Sequence, residues 1–146
     1  MVSLGIKKLE GYPEDLPLPS YATPGSSGMD LYATSDCGIP ANASIMMSTY
    51  LAFMIPEGYE LQIRPRSGLA FKYGITVLNS PATIDSDFTG TVGVILINHG
   101  TRAYQINKGD RIAQLVLAPV TRAEITYIEN LPDTVRGSGG FGHTGR

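Results

Sequence analysis

The chain has 146 residues, a length that suits one domain. It is 42% hydrophobic with mean hydropathy +0.02, enough for a core, but no apolar run nears the roughly 18–20 residues of a membrane-spanning helix. A net charge of −2 and the lack of any basic stripe exclude a long nucleic acid as partner and point to a small ligand met by local charge.

Residues 1–10 carry Lys7 and Lys8 with no apolar stretch behind them, so the start does not read as a signal peptide and a cytoplasmic protein is expected. Val2, Leu4 and Ile6 alternate with Ser3, Gly5 and Lys7, as in a half-buried strand. Next, GSSGMDLYA sets Asp30 in an apolar, strand-like run, where a carboxylate needs a partner: an arginine or a metal-bound water. A single cysteine, Cys37, permits neither an intrachain disulfide nor a cysteine zinc site and reads as incidental.

Residues 45–53 are β-rich, and Tyr59, Leu61 and Ile63 alternate with Glu60, Gln62 and Arg64. PRSGLA follows. A short helix is expected over Ser67–Tyr73, with Ser67 capping its start and Gly74 ending it. Arg66 and the Ser67 hydroxyl would then stand where backbone N–H groups are unpaired, a favourable place for phosphate. On its own the stretch reads equally well as a plain strand-to-helix turn.

Residues 78–88, LNSPATIDSDF, hold two carboxylates and an aromatic ring after an expected hairpin. A hairpin tip presents backbone N–H and C=O groups to a planar base, and the Asn79 amide both donates and accepts. The plainer alternative is a loop whose aspartates only solvate a turn. Residues 91–98, 111–118 and 123–128 read as further strands, separated by turns at Asn98-His99-Gly100 and Lys108-Gly109-Asp110. His99 falls in such a turn and reads as solvated.

The chain ends in RGSGGFGHTGR over residues 136–146: glycine-rich, without hydrophobic period, and expected to be flexible when nothing is bound. It approaches G-x-x-x-x-G-K-[ST], with Gly142 and Thr144 in place. His143 stands where lysine is required and no helix can follow, so a P-loop is rejected. With 17 glycines and 10 prolines, long helices have little room. The expectation is an all-β sandwich or barrel with one short helix over residues 1–135, followed by the flexible tail. There is no internal repeat and no second globular domain.

Taken in order, GSSGMDLYA, PRSGLA, ATIDSDFTG, GDRIAQLV and RGSGGFGHTG resemble the five motifs of the trimeric dUTPase family. The resemblance implies a distorted jelly roll assembled as a homotrimer, with active sites at subunit interfaces. The implied activity is Mg²⁺-assisted cleavage of dUTP to dUMP and pyrophosphate, which supplies dUMP and keeps uracil out of DNA. Neither a nucleic acid nor a membrane is an implied partner.

By the same resemblance Asp85 is the catalytic carboxylate that activates the attacking water. Asn79, the backbone of Thr83 and Ile84, and Gly93 form the uracil pocket. Arg66, Ser67, Gly68 and Gln114 contact phosphates. The Mg²⁺ is held by the substrate's phosphates and by water with no direct protein ligand, while Asp30 acts through arginine or a metal-bound water. Residues 136–146 form a lid in which Arg136 meets the γ-phosphate and Phe141 stacks on uracil, with Gly142 beside it.

Three positions depart from the family pattern. Phe88 stands where tyrosine is usual, keeping the ring that excludes a ribose 2′-OH. Ala82 replaces a more usual glycine and would be strained if its φ were positive. His143 replaces serine in the lid. A dCTP deaminase shares the fold, but Thr83-Ile84-Asp85 and the arginine-phenylalanine tail fit the pyrophosphatase. Intact Asp85, Arg66, Gln114 and Arg136 argue against an idle binding trimer.

Overall fold

The computed structural model describes residues 2–143; Thr144 of the tail pattern, and with it residues 144–146 of the expected lid, lie outside the described residues. In chain order the strands are β1 (Gly5–Lys8), β2 (Met29–Tyr32), β3 (Cys37–Ile39), β4 (Ser44–Ser48), β5 (Leu51–Met54) and β6 (Tyr59–Arg64). Helix α1 (Ser67–Tyr73) follows, then β7 (Ile75–Val77), β8 (Ala82–Ile84), β9 (Gly93–Asn98), β10 (Tyr104–Ile106) and β11 (Arg111–Pro119).

A four-stranded antiparallel sheet, β2-β11-β6-β8, and a three-stranded one, β4-β9-β7, share a single buried cluster. The pairs β1-β5 and β3-β10 form two further two-stranded sheets. This is the all-β sandwich expected from the two-residue period. In β6, Leu61 and Ile63 are buried while Glu60, Gln62 and Arg64 face outward. Along β9, Val94, Leu96 and Asn98 are all fully buried. The centre is β11, where Leu115 lies opposite Met29 on one side and Ile63 on the other.

Asn98 is the one polar side chain among the largest fully buried ones, and its bonds are complete. Its Nδ2 donates to Ile39 O (2.9 Å) and Arg102 O (2.8 Å), and its Oδ1 accepts from Gly100 N (2.8 Å). That pairing makes burial tolerable and fixes the turn expected at 98–100.

Helix α1 forms where expected and ends where expected. Gly74 adopts φ 70°, and its N–H reaches Ala70 O and Leu69 O, closing the last turn. The start differs: Arg66 occupies the N-cap with φ −97° and ψ 126°, and no side chain caps the helix. Ser67 is already the first helical residue, one position too late to cap.

Four further expectations change. Residues 45–53 are two strands rather than one, because the chain bends at Thr49 and Tyr50, the latter at φ 51°. Thr49 Oγ1 pins the bend by donating to Val92 O (2.7 Å) and accepting from Leu51 N (3.2 Å). The hairpin expected about residues 78–88 is not paired as one: β7 pairs with β9 and β8 with β6, so residues 78–81 cross between sheets. Ala82 sits buried in β8 and is absent from the positive-φ residues, so the strain foreseen there does not arise.

The fourth change concerns residues 123–128, which form no strand. Ile125 and Tyr127 are 96% and 89% exposed, so the segment lies against no sheet edge of its own chain. A strand needs a partner for its N–H and C=O groups, whatever its side-chain pattern. Residues 120–143 as a whole carry no strand or helix, and no helix among the described residues is long and apolar enough to cross a membrane.

Candidate active site

The sequence-predicted residues gather in two clefts that share no lining residue. The first, about 340 Å³, is lined by Ser27, Gly28, Asp30, Arg66, Ser67, Gly68, Arg111 and Gln114, among others. The register of the large sheet builds it. Gln114 in the middle strand lies opposite Asp30 of β2 and Arg64 of β6, and the chain leaving β6 turns over this row as Pro65-Arg66-Ser67.

Asp30, whose side chain is 16% exposed, faces two guanidinium groups: Arg66 Nε at 3.5 Å from Oδ1 and Arg111 at 3.3 Å from Oδ2. The partner anticipated for this acid is therefore a pair of arginines. Arg66 also donates to Arg111 O (3.0 Å), so the three residues brace one another. One positive charge remains after Asp30 is matched, and Ser67 and Gly68 add an exposed hydroxyl and helix-start backbone at the same rim. A net cation beside polar donors suits a polyanion.

Arg111 received no role of its own from the sequence. Its signal there is one charge opening the otherwise apolar run RIAQLVLA, three positions before Gln114. The structure shows how it is aimed. Between Arg111 and Ala113 the β11–β2 register shifts, setting two residues of β11 against one of β2. Such a bulge re-aims a side chain. Ile112 and Ala113 are both buried here, while Arg111 turns out to Asp30.

Beside this cleft a hollow of about 260 Å³ is lined by Arg66, Leu69, Tyr104, Asp110 and Arg111, among others. Burial, then the Asp110 carboxylate and the Tyr73 phenol, push the Tyr104 hydroxyl above its ordinary pKa, so it stays neutral at physiological pH.

The second cleft, about 220 Å³, is lined by Asn79, Ala82, Thr83, Ile84, Asp85, Phe88 and Gly93, with Ile63, Thr91 and Val92. Its wall is β8, the edge strand of the large sheet, so one side of that backbone makes no ladder bonds. Free N–H and C=O groups at fixed spacing can read the edge of a planar ring. Val92 N bonds Leu51 O (2.9 Å) and Thr49 N bonds Val92 O (3.0 Å), which holds the opposite wall in place. Asp85 is exposed at the rim, where Phe88 N closes a turn on Asp85 O (3.1 Å). It also borders a larger hollow lined by Glu57, Glu60, Asp87 and Arg122, among others.

The two clefts stand far apart in one chain. Ile84 pairs with Leu61, which sets Asp85 next to Glu60 near the start of β6, whereas Arg66 lies just past its end. Six residues of extended chain separate these levels, roughly 20 Å at about 3.3 Å each.

The tail residues join neither cleft. Arg136 donates from Nε to Gly139 O (2.8 Å), Phe141 is fully exposed at φ 50°, and Gly142 follows at φ 87°. His99 is exposed in its turn, as expected. Among the described residues no group of three or more His, Cys, Asp or Glu is placed to hold a metal.

The sequence model of the dUTPase family matches residues 14–145. The deoxyuridine 5'-triphosphate nucleotidohydrolase of Nautilia profundicola is 52% identical over 145 residues, covering 99% of this chain and 100% of that one. Its counterpart from Desulfotalea psychrophila is 55% identical over 134 residues, covering 90% and 89%. Among solved structures, the G164S mutant of a Staphylococcus bacteriophage 80alpha dUTPase with dUpNHpp superposes with a TM-score of 0.88 at 23% identity over 100% of both chains. The likeness is one of fold, and it supports the jelly-roll description of the sandwich.

Proposed function

The chain belongs to the dUTPase family, and from that membership we propose that it cleaves dUTP to dUMP and pyrophosphate, using a water that Asp85 orients and deprotonates for in-line attack on the α-phosphorus. One observation carries the reading. The cleft with free backbone edges and a ring holds an exposed carboxylate at its rim, and a separate cleft holds the cations.

Uracil enters the β8 cleft, where backbone groups of Thr83 and Ile84 and the Asn79 amide meet its polar edge. Cytosine would leave those fixed donors and acceptors mispaired, a mismatch that costs about 10⁴–10⁵ in discrimination when the groups are buried. The Phe88 ring sits under the sugar and leaves no room for a 2′-hydroxyl. Asp85 then faces the innermost phosphorus, while Arg66, Ser67, Gly68 and Gln114 take the phosphate oxygens.

A single chain cannot do this alone, because roughly 20 Å divides Asp85 from Arg66 by strand geometry. The phosphate residues must come from another copy, which accords with a homotrimer carrying one site at each interface. The unpaired residues 123–128, with Ile125 and Tyr127 exposed, are the natural bridge between copies.

Mg²⁺ fits the phosphate cleft as the counter-ion of the substrate, since both Asp30 oxygens already face arginines and this cleft has no other lining acid. When bound it would neutralise charge on the leaving pyrophosphate, with Asp30 acting through its arginines or through a water of the ion.

Residues 136–146 act as the lid. Ordering roughly ten backbone residues costs on the order of 10 kcal/mol, and a Phe141 stack on uracil returns only about 1–3. Arg136 on the γ-phosphate must contribute to the rest, so closure depends on a complete triphosphate.

The test is pyrophosphate release from dUTP against UTP, dTTP and dCTP, with and without EDTA. The expected result is release from dUTP alone and its loss in EDTA. Ammonia from dCTP would favour a deaminase, and no release from dUTP would refute the proposal.

A further inference from the structure

In the phosphate cleft, the Gln114 side chain lies directly over Gly28. A Cβ built on Gly28 would collide with Gln114 Oε1 and stand 3.1 Å from its Cδ and 3.2 Å from its Cβ. Gln114 cannot swing aside freely, because its Nε2 donates to Pro65 O at 3.0 Å. Nor is the glycine there for its backbone: Gly28 is not among the positive-φ residues. Close approach of a side chain is the remaining reason for a hydrogen at this position.

We infer that Gly28 is a positioning residue: it leaves room for the Gln114 carboxamide to hold the Pro65 carbonyl, and so fixes where Arg66 and Ser67 point. The segment braces the Pro65-Arg66 turn twice. Gly28 acts through Gln114, and two residues on Asp30 acts through the Arg66 guanidinium. One N–H of the Gln114 amide is spent on Pro65; the other is left for phosphate. A methyl on residue 28 would tilt the amide, leave the Pro65 carbonyl unpaired and loosen the turn. The role in turnover rests on the phosphate function proposed for this cleft.

Two measurements test it. The first is a double-mutant cycle on dUTP cleavage with Gly28→Ala and Gln114→Ala. Each single change is expected to lower kcat/KM about 30-fold through higher KM, and the double variant should be no worse than Gln114→Ala alone. Losses that multiply would overturn the inference, as would wild-type kinetics in Gly28→Ala. The second needs no activity. In the free protein Leu69 N and Ala70 N both close on Arg66 O at 3.1 Å. Their hydrogen exchange should rise about tenfold in Gly28→Ala while β9 amides stay unchanged. Unchanged exchange at Leu69 and Ala70 contradicts the inference. If Gly28→Ala fails to fold, Gln114→Met, which fills the space without a donor, must show the same exchange. A wild type inert toward dUTP would sink the proposed function and still leave the exchange comparison decisive.

Discussion

Residues 111–119 and 123–128 look alike as sequence and end up opposite in structure. RIAQLVLAP becomes the centre of the large sheet, bonded to β2 on one edge and β6 on the other, with Leu115 fully buried. AEITYI, four residues further on, leaves Ile125 and Tyr127 in the open. Both segments have the β-branched content that favours extended chain, and the second adds Tyr127. What separates them is the availability of an edge. The first segment finds two within its own chain, and the second finds none there. Side-chain pattern thus reports a capacity to pair, while the identity of the partner is a matter of assembly.

The same contrast divides the work. On the function proposed above, the ordered sheet carries the chemistry, and what trails it carries closure and contact between copies. The largest effect that could break this division is Asp85→Asn. It should lower kcat on the order of 10³-fold with dUTP binding within about threefold of wild type by calorimetry. A near-normal kcat in that variant would move the chemistry elsewhere. Deleting residues 136–146 comes next. A loss of about 10²–10³ in kcat/KM is expected from the absent Arg136 and Phe141 contacts, with an unchanged melting temperature. A protein that lost its fold on truncation would show that the tail belongs to the core.

Leu115→Ala against Ile125→Ala compares the two segments directly. The first should cost about 2–5 kcal/mol of stability. The second should change the fold within its own chain by less than about 0.5 kcal/mol and instead make melting depend on protein concentration. Equal, concentration-independent losses would erase the distinction. The smallest effect is Phe141→Ala, with about a tenfold rise in KM for dUTP from the lost stack.

Much of this was legible in the sequence, and the failures share causes. The β6 alternation, the span of α1 and its Gly74 stop come from local sterics, which act within a few residues. The Asp30 setting announced that a partner was needed, and Arg66 and Arg111 supply it. Most of what failed depends on long-range register. The hairpin expected about residues 78–88 is not paired as one, because β7 and β8 bury their apolar faces in different sheets and residues 78–81 cross between them. The cap expected of Ser67 failed for a local reason: the helix begins at Ser67 itself, so Arg66 holds the N-cap position. The separation between Asp85 and Arg66 follows from Ile84 facing Leu61, a pairing no local pattern encodes.

The central claim is that one site draws Asp85 from one chain and Arg66 from another. Co-expression of Asp85→Asn and Arg66→Ala chains, each inactive alone, measures it most directly. In a random equal mixture each site needs an intact Asp85 on one chain and an intact Arg66 on its neighbour, so about a quarter of wild-type dUTP turnover should return. If both residues served the same site from a single chain, every site in the mixture would remain defective, and activity no higher than that of either parent would contradict the account.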